Sequence, residues 1–172
     1  GVAAFTTSTG YGIAKYDNPE ELSVSDRNNI GYQYTDCPLY WISVIYLNFA
    51  EAKAEMGSLT QDDLNNSINK LQARAGLPAM TTTPDADPAN NMGVSNLIWE
   101  IRRCRRCELI MDNWYRYWDL IRWHQLDKLD STKYPNTMLG ANVSNVPDCE
   151  EATKNGYIDA SDAQIRTYEA KH

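Results

Sequence analysis

Residues 46–57 read YLNFAEAKAEMG, with alanines at 50, 52 and 54 set into an otherwise bulky run. Followed backward to Leu39, the apolar positions fall on two stripes at helical spacing. One holds Tyr40, Val44, Leu47, Ala50 and Ala54, the other Trp41, Ile45, Phe49, Ala52 and Met56. The pattern predicts a helix from Leu39 to Met56, buried on two sides, opened by Asp36-Cys37-Pro38 and stopped by Gly57. A second helix follows within a few residues. Thr60 and Asp63 form a capping pair, Leu64, Ile68, Leu71 and Ala75 make its apolar face, and Gly76 and Pro78 end it. So short a connection folds the two antiparallel, and methyl-sized side chains at 50, 52 and 54 let a neighbouring backbone approach closely. The expected unit is a tetratricopeptide-like helical hairpin over 37–77. It buries only part of its apolar surface alone and needs neighbours, yet no second copy recurs at a ~34-residue period.

Outward from the hairpin the chain changes character. Residues 1–36 are a loop-rich lead-in with a short strand at most, dense in Gly, Thr, Ser and Asn and carrying Tyr11, Tyr16, Tyr32 and Tyr34. Residues 78–94 form a loop of Pro, Thr, Asp and Asn. Ser95 can cap a further helix, NLIWEIRRCRRCELIMDN, which continues through a break near Asn113 into WYRYWDLIRWHQL, so that 95–127 is a helical arginine and tryptophan block. Residues 128–172 read as a loop-rich tail. The fold class is therefore mainly α, a helical hairpin plus further helices with long irregular loops.

At about 100° per residue, Arg102, Arg103, Arg105 and Arg106 fan over roughly 160° of a helix circumference, and at least one is expected to point inward. Further on, Glu108, Arg116, Asp119 and Arg122 alternate in sign among Trp114, Tyr117, Trp118 and Trp123. This pattern predicts carboxylates and guanidinium groups paired inside an aromatic shell, since the planar arginine fork meets carboxylate bidentately and stacks on rings. A structural network is the first reading of these four residues and a ligand or catalytic site the second.

The 172 residues are 42% hydrophobic and 23% charged, enough for one core or part of a larger one. The longest apolar run, Leu39 to Leu47 with Ser43 inside it, is far short of the ~20 residues that cross a bilayer. No secretory leader opens the sequence, so an export signal or lipid anchor is expected outside these residues or not at all. A net charge of -7 argues against nucleic acid as a partner. Eleven Tyr and five Trp against two Phe favour rings with a polar edge, which either seal a loop-rich surface or face a polar ligand.

Cys104 and Cys107 have the spacing of a redox or zinc pair but sit mid-helix among arginines. Zinc would need two more ligands from Cys37, Cys149 or His124. Inert buried thiols are the first expectation, a disulfide the second and a metal the last; no metal and no cofactor are expected. His124 reads as a rim or core residue, and no nucleophilic triad, phosphate-binding glycine loop or HExxH motif is present.

Three blocks in order, YLNFAEAKAEMG, INKLQARAGLP and IRRCRRCELIMDNWYRYWDLIRW, resemble the C-terminal half of the SusD/RagB family of outer-membrane nutrient-binding lipoproteins. They span Cys37 to Leu126, and the earlier GYGIAKY resembles the stretch that precedes the first block. Asn48, Ala50, Glu51 and Ala52 fall on the first motif, Asn69, Arg74, Ala75 and Gly76 on the second. Arg102, Arg103, Arg105, Arg106, Glu108, Leu109, Arg116, Asp119, Leu120, Arg122 and Trp123 fall on the third. The resemblance implies that all of these are scaffold positions. Cys104 stands where the family usually has glutamate, Cys107 where it has an aliphatic residue, and Trp41 and Ser43 where Arg and Glu are commoner.

The resemblance implies a binding protein and not an enzyme. Its expected ligand is an oligosaccharide or polysaccharide, or a peptide nutrient, held on the extracellular face of the cell outer membrane. The expected partner is a SusC-like TonB-dependent transporter, and the expected anchor a lipid at an N-terminus outside this segment. Tyr11, Tyr16, Tyr32 and Tyr34 and the loop 85–93 are the candidate ligand contacts. A helical-repeat adaptor that binds only protein is the alternative. A glycoside hydrolase fits worse, because Glu108 and Asp119 have arginines nearby, which lowers a carboxyl pKa and spoils a general acid.

Overall fold

The structure is a computed structural model that describes residues 9–11, 15, 23, 25, 26, 29, 39–145 and 153–160. They belong to two compact units. One is Pro38–Leu126, and the other is drawn from Gly1–Cys37 and Asp127–His172.

In the first unit, helix α1 spans Ile42–Glu55. It starts three residues later than the apolar pattern predicts, because Trp41 is extended, and it ends at Gly57, whose positive φ an L side chain resists. Thr60 then forms a full capping box with Asp63 and opens α2, Gln61–Asn65. The single second helix that the sequence suggests is broken. Chain direction resets at Ser67, whose hydroxyl donates to the Asp63 carbonyl at 2.6 Å, and α3 runs from Ile68 to Arg74. Lys53 reaches from α1 to Asp63 at 2.8 Å, tying the hairpin across its turn. Ser95 caps α4, Asn96–Glu108, and after a turn α5 spans Tyr115–Arg122. Among the described residues the fold is mainly helical.

Leu47, Ala50, Leu64, Ile68, Leu71, Met80, Ile101 and Leu109 form the core. Ala50 is fully buried, which answers why this helix is trimmed to methyl groups there: α1 packs closely on α4. The expectation of burial on two sides does not hold. From Ile45 on, the second stripe faces outward, with Ile45, Phe49, Ala52 and Met56 exposed, as is Ile42 beside it, and only the Leu47–Ala50 side meets the core.

The other unit contains strands where the sequence reading expected only loop. β1 (Leu139–Asn142), β2 (Thr153–Lys154) and β3 (Tyr157–Asp159) form an antiparallel sheet in the order β1-β3-β2. Asn155 and Gly156, both at positive φ, make the two-residue hairpin loop that joins β2 to β3. On the other side of β1 the Ala141 amide donates to the Thr9 carbonyl at 2.8 Å. A side chain at Gly140 would meet that carbonyl at 2.2 Å, so only glycine permits the approach.

Candidate functional site

The charged cluster in the helical unit is organised around Glu51, in the middle of α1. Its Oε1 accepts from the Trp123 indole at 2.8 Å, Arg122 at 3.0 Å and Arg102 at 3.3 Å, while Oε2 accepts from Arg122 at 2.6 Å. Asp119, on α5, accepts from Arg105 at 2.7 Å and Arg122 at 2.8 Å. Arg105 continues to the Asn48 side chain at 2.8 Å, and Arg102 to Glu55 at 2.9 Å. Three carboxylates, Glu51, Glu55 and Asp119, are thus matched by three guanidinium groups across α1, α4 and α5. The guanidinium carbons of Arg102 and Arg122 each lie 4.6 Å from the Trp123 ring centroid, and that of Arg105 lies 5.8 Å from Tyr115. Glu51, Arg105 and Asp119 are each no more than 4% exposed.

Burial alone would raise the Glu51 pKa, but the hydrogen bonds and charge of Arg122, the Trp123 indole and the Arg102 charge outweigh it and hold the carboxyl below its ordinary value of 4.5. Asp63 is held down to about 2 by its bonds to Lys53 and to the Thr60 amide and hydroxyl. A depressed carboxyl pKa stabilises the fold above the unfolded-state value, and that contribution fades as pH falls through the folded one. The melting temperature is therefore expected to hold between pH 7 and 5 and to drop between about pH 4.5 and 2, followed by circular dichroism; a flat profile down to pH 2 would contradict these pairings.

The residues singled out from sequence are dispersed. Asp119 and Arg122 meet at 2.8 Å. Glu108 stands apart from them, at the end of α4, paired with Arg74 at 2.6 Å on the rim. Arg116 is half-buried with its guanidinium carbon 6.0 Å from the Trp123 ring. Burial and the Arg106 charge lower its pKa. The hub, Glu51, was read only as a motif position. Of the four arginines, Arg105 is the one that turns fully inward.

The aromatic shell is also smaller than the alternating pattern suggests. Met111, Asn113 and Trp114 all have positive φ, an uncommon state for residues with side chains, and this left-handed turn reverses the phase between α4 and α5. Trp123 and Tyr115 face the network. Trp114, Tyr117 and Trp118 face outward, Trp114 81% and Trp118 61% exposed, with the Tyr117 and Trp118 rings edge-on at 5.6 Å.

Tyr11 is 61% exposed beside the Thr9 to Ala141 bond. Tyr16, Tyr32 and Tyr34 lie outside the described residues. Within the loop 85–93, Asp87 accepts from the Trp99 indole at 2.8 Å and Asn90 donates to the Val94 carbonyl at 2.9 Å, so both side chains hold the loop itself.

Cys104 is buried and Cys107 exposed, both as free thiols. Burial first, and then the negative charge of Glu108, pushes the Cys104 thiol up to about 12, which makes it inert. Cys37 and Cys149 lie outside the described residues. His124, at positive φ just past α5, is exposed.

A family model described as the SusD family matches residues 2–171. The chain belongs to the SusD family. The match reaches well beyond the three helical blocks and takes in both compact units. Neither a curated protein nor a solved structure matches the chain.

Proposed function

We propose that this SusD-family chain captures glycan at the extracellular face of the outer membrane, as the lipid-anchored partner of a SusC-like TonB-dependent transporter, and passes oligosaccharide on for import. The observation that carries this reading is the family match over 2–171. The geometry agrees with binding without turnover. Glu51 is clamped in its ionised form, whereas glycoside hydrolysis needs one carboxyl with a raised pKa across a cleft from a second. What the surface offers instead is ring faces. Trp114 and Trp118 in the helical unit, and Tyr11 in the other, present broad amphipathic surfaces of the kind that stack on sugars.

In a native gel containing the cognate polysaccharide, drawn from a panel of soluble glycans, the full-length protein should be retarded without releasing reducing ends. Detectable turnover would sink the proposal. The double change Trp114→Ala and Trp118→Ala is expected to weaken retention about tenfold if each ring contributes roughly 0.7 kcal/mol of stacking; unchanged mobility would remove these two rings from the ligand surface. Co-purification with a SusC-like transporter from outer-membrane extracts tests the partnership. The alternative, a helical module that binds only protein, draws support from the exposed apolar stripe on α1, and glycan-independent behaviour in every gel would favour it.

A further inference from the structure

The turn between β2 and β3 is made of Asn155 and Gly156, at φ 54° and 83°. Both values fit the central positions of a type I′ turn, and Lys154 pairs with Tyr157 directly across it. Local geometry selects this dipeptide. Asparagine is among the few residues with a side chain that tolerate a left-handed backbone. At 156 the Ser144 hydroxyl, just past β1, takes up the space that a Cβ would need, so glycine alone fits there. The Gly156 carbonyl also accepts from the Val143 amide at 2.8 Å, which ties the turn to the chain beside it. Asn155 is exposed, and it is the only asparagine of the sequence followed by glycine.

An asparagine before glycine is prone to cyclise, because no Cβ shields the next amide nitrogen. That nitrogen, having given its proton to solvent, attacks Asn155 Cγ. A C–N bond forms, the side-chain nitrogen takes up a proton and leaves as ammonia, and a five-membered succinimide remains. Water then opens the ring at Cγ to give aspartate, or at the main-chain carbonyl of residue 155 to give isoaspartate, whose chain runs through the former side chain. Water is the one co-reactant. Ring closure needs the Gly156 nitrogen on the same side of the Cα–C bond as Cβ. In a type I′ turn ψ at the first central residue is about +30°, which points that nitrogen almost directly away from Cβ. The folded turn therefore blocks the reaction that its own sequence invites.

We propose that Asn155 is a self-modification site gated by its hairpin, silent while β2 and β3 are paired, converted when they part, and unable to restore the turn once isoaspartate has formed. β2 is an edge strand of two residues, so little holds it closed. Isoaspartate adds one carbon to the main chain between Lys154 and Gly156, and the two-residue loop then no longer matches the Lys154 to Tyr157 register. The site is independent of glycan capture.

The test ages the complete chain at physiological pH and temperature, in buffer and in guanidinium chloride, and follows every asparagine by peptide mapping, with isoaspartate scored by a protein isoaspartyl methyltransferase. In denaturant Asn155 should convert ahead of all other asparagines, and in buffer it should convert at least about tenfold more slowly. Equal rates in the two conditions would overturn the gating, and a different leading asparagine in denaturant would overturn the site. Asn155→Gly retains a residue suited to the turn and removes the reactive amide, so the leading isoaspartate signal should vanish; its persistence would place the reaction elsewhere. The isoaspartate form, separated by ion exchange, should show severalfold faster hydrogen exchange at the Lys154 and Tyr157 amides, whereas Asn155→Asp, which brings the same charge on an unaltered main chain, should not. Unchanged exchange in the isoaspartate form would refute the one-way step.

Discussion

Glu51→Ala should cost roughly 3–5 kcal/mol of stability, read as a shift in the urea midpoint without a change in slope. The carboxylate accepts four hydrogen bonds, from Arg102 on α4, Arg122 on α5 and Trp123 just past it, and removing it takes an acceptor from all three at once. Arg102 loses one of its two acid partners, and Arg122 keeps only Asp119. The Trp123 indole, 7% exposed, is left without its acceptor. The penalty is therefore mostly that of uncompensated groups and not the net worth of the pairs, which for buried ions is often small. Asp119→Ala is expected to destabilise by a similar amount. The double substitution should cost less than the sum, because Arg122 bridges both acids. A melting temperature unchanged by either single substitution would show the cluster to be hydrated and unimportant for stability.

Asn69→Ala is expected to cost roughly 2–4 kcal/mol, from a residue that carries no charge. Its side chain, on α3, accepts from the Met80 amide at 2.7 Å and donates to the Met80 carbonyl at 3.1 Å and to Asn65 at 2.9 Å. It thus gives the loop after α3 the pairing that a neighbouring strand would otherwise supply. Met80 is 5% exposed and belongs to the core, so its amide has no ready access to water once Asn69 is cut back. Hydrogen exchange of the Met80 amide should accelerate more than that of α1, which distinguishes loosening of this loop from general loss of stability. Equal acceleration throughout the unit would contradict a local role for Asn69.

Much of the scaffold was legible because local rules govern it. The apolar run ending at Gly57, the Thr60 and Asp63 box and the Ser95 cap each act within a few residues, and each marks an element that forms. The hub was not legible. Glu51 meets its partners across 51, 71 and 72 residues of chain, and no helical spacing relates them. Trp114 and Trp118 belong to the aromatic shell that the alternating pattern predicts, yet they face outward: the left-handed residues at 111, 113 and 114 shift the phase at the break near Asn113, and nothing in Met or Trp announces that conformation. The hairpin in the tail did have a signal. Asn155-Gly156 is a strong two-residue turn pair, but the strands beside it are only two and three residues long, too short for alternation to register.

The outward stripe of α1 has a bearing on how the molecule behaves in bulk. Ile42, Ile45, Phe49 and Met56 follow one another at intervals of three, four and seven residues, forming a greasy ridge on a chain of formal charge -7. At low ionic strength mutual repulsion keeps such ridges apart. Raising the salt from 0.1 to 1 M shortens the screening distance from about 10 Å to about 3 Å, and the ridges can then meet. Light scattering should accordingly report association that grows with sodium chloride, the reverse of what particles glued by ion pairs would do.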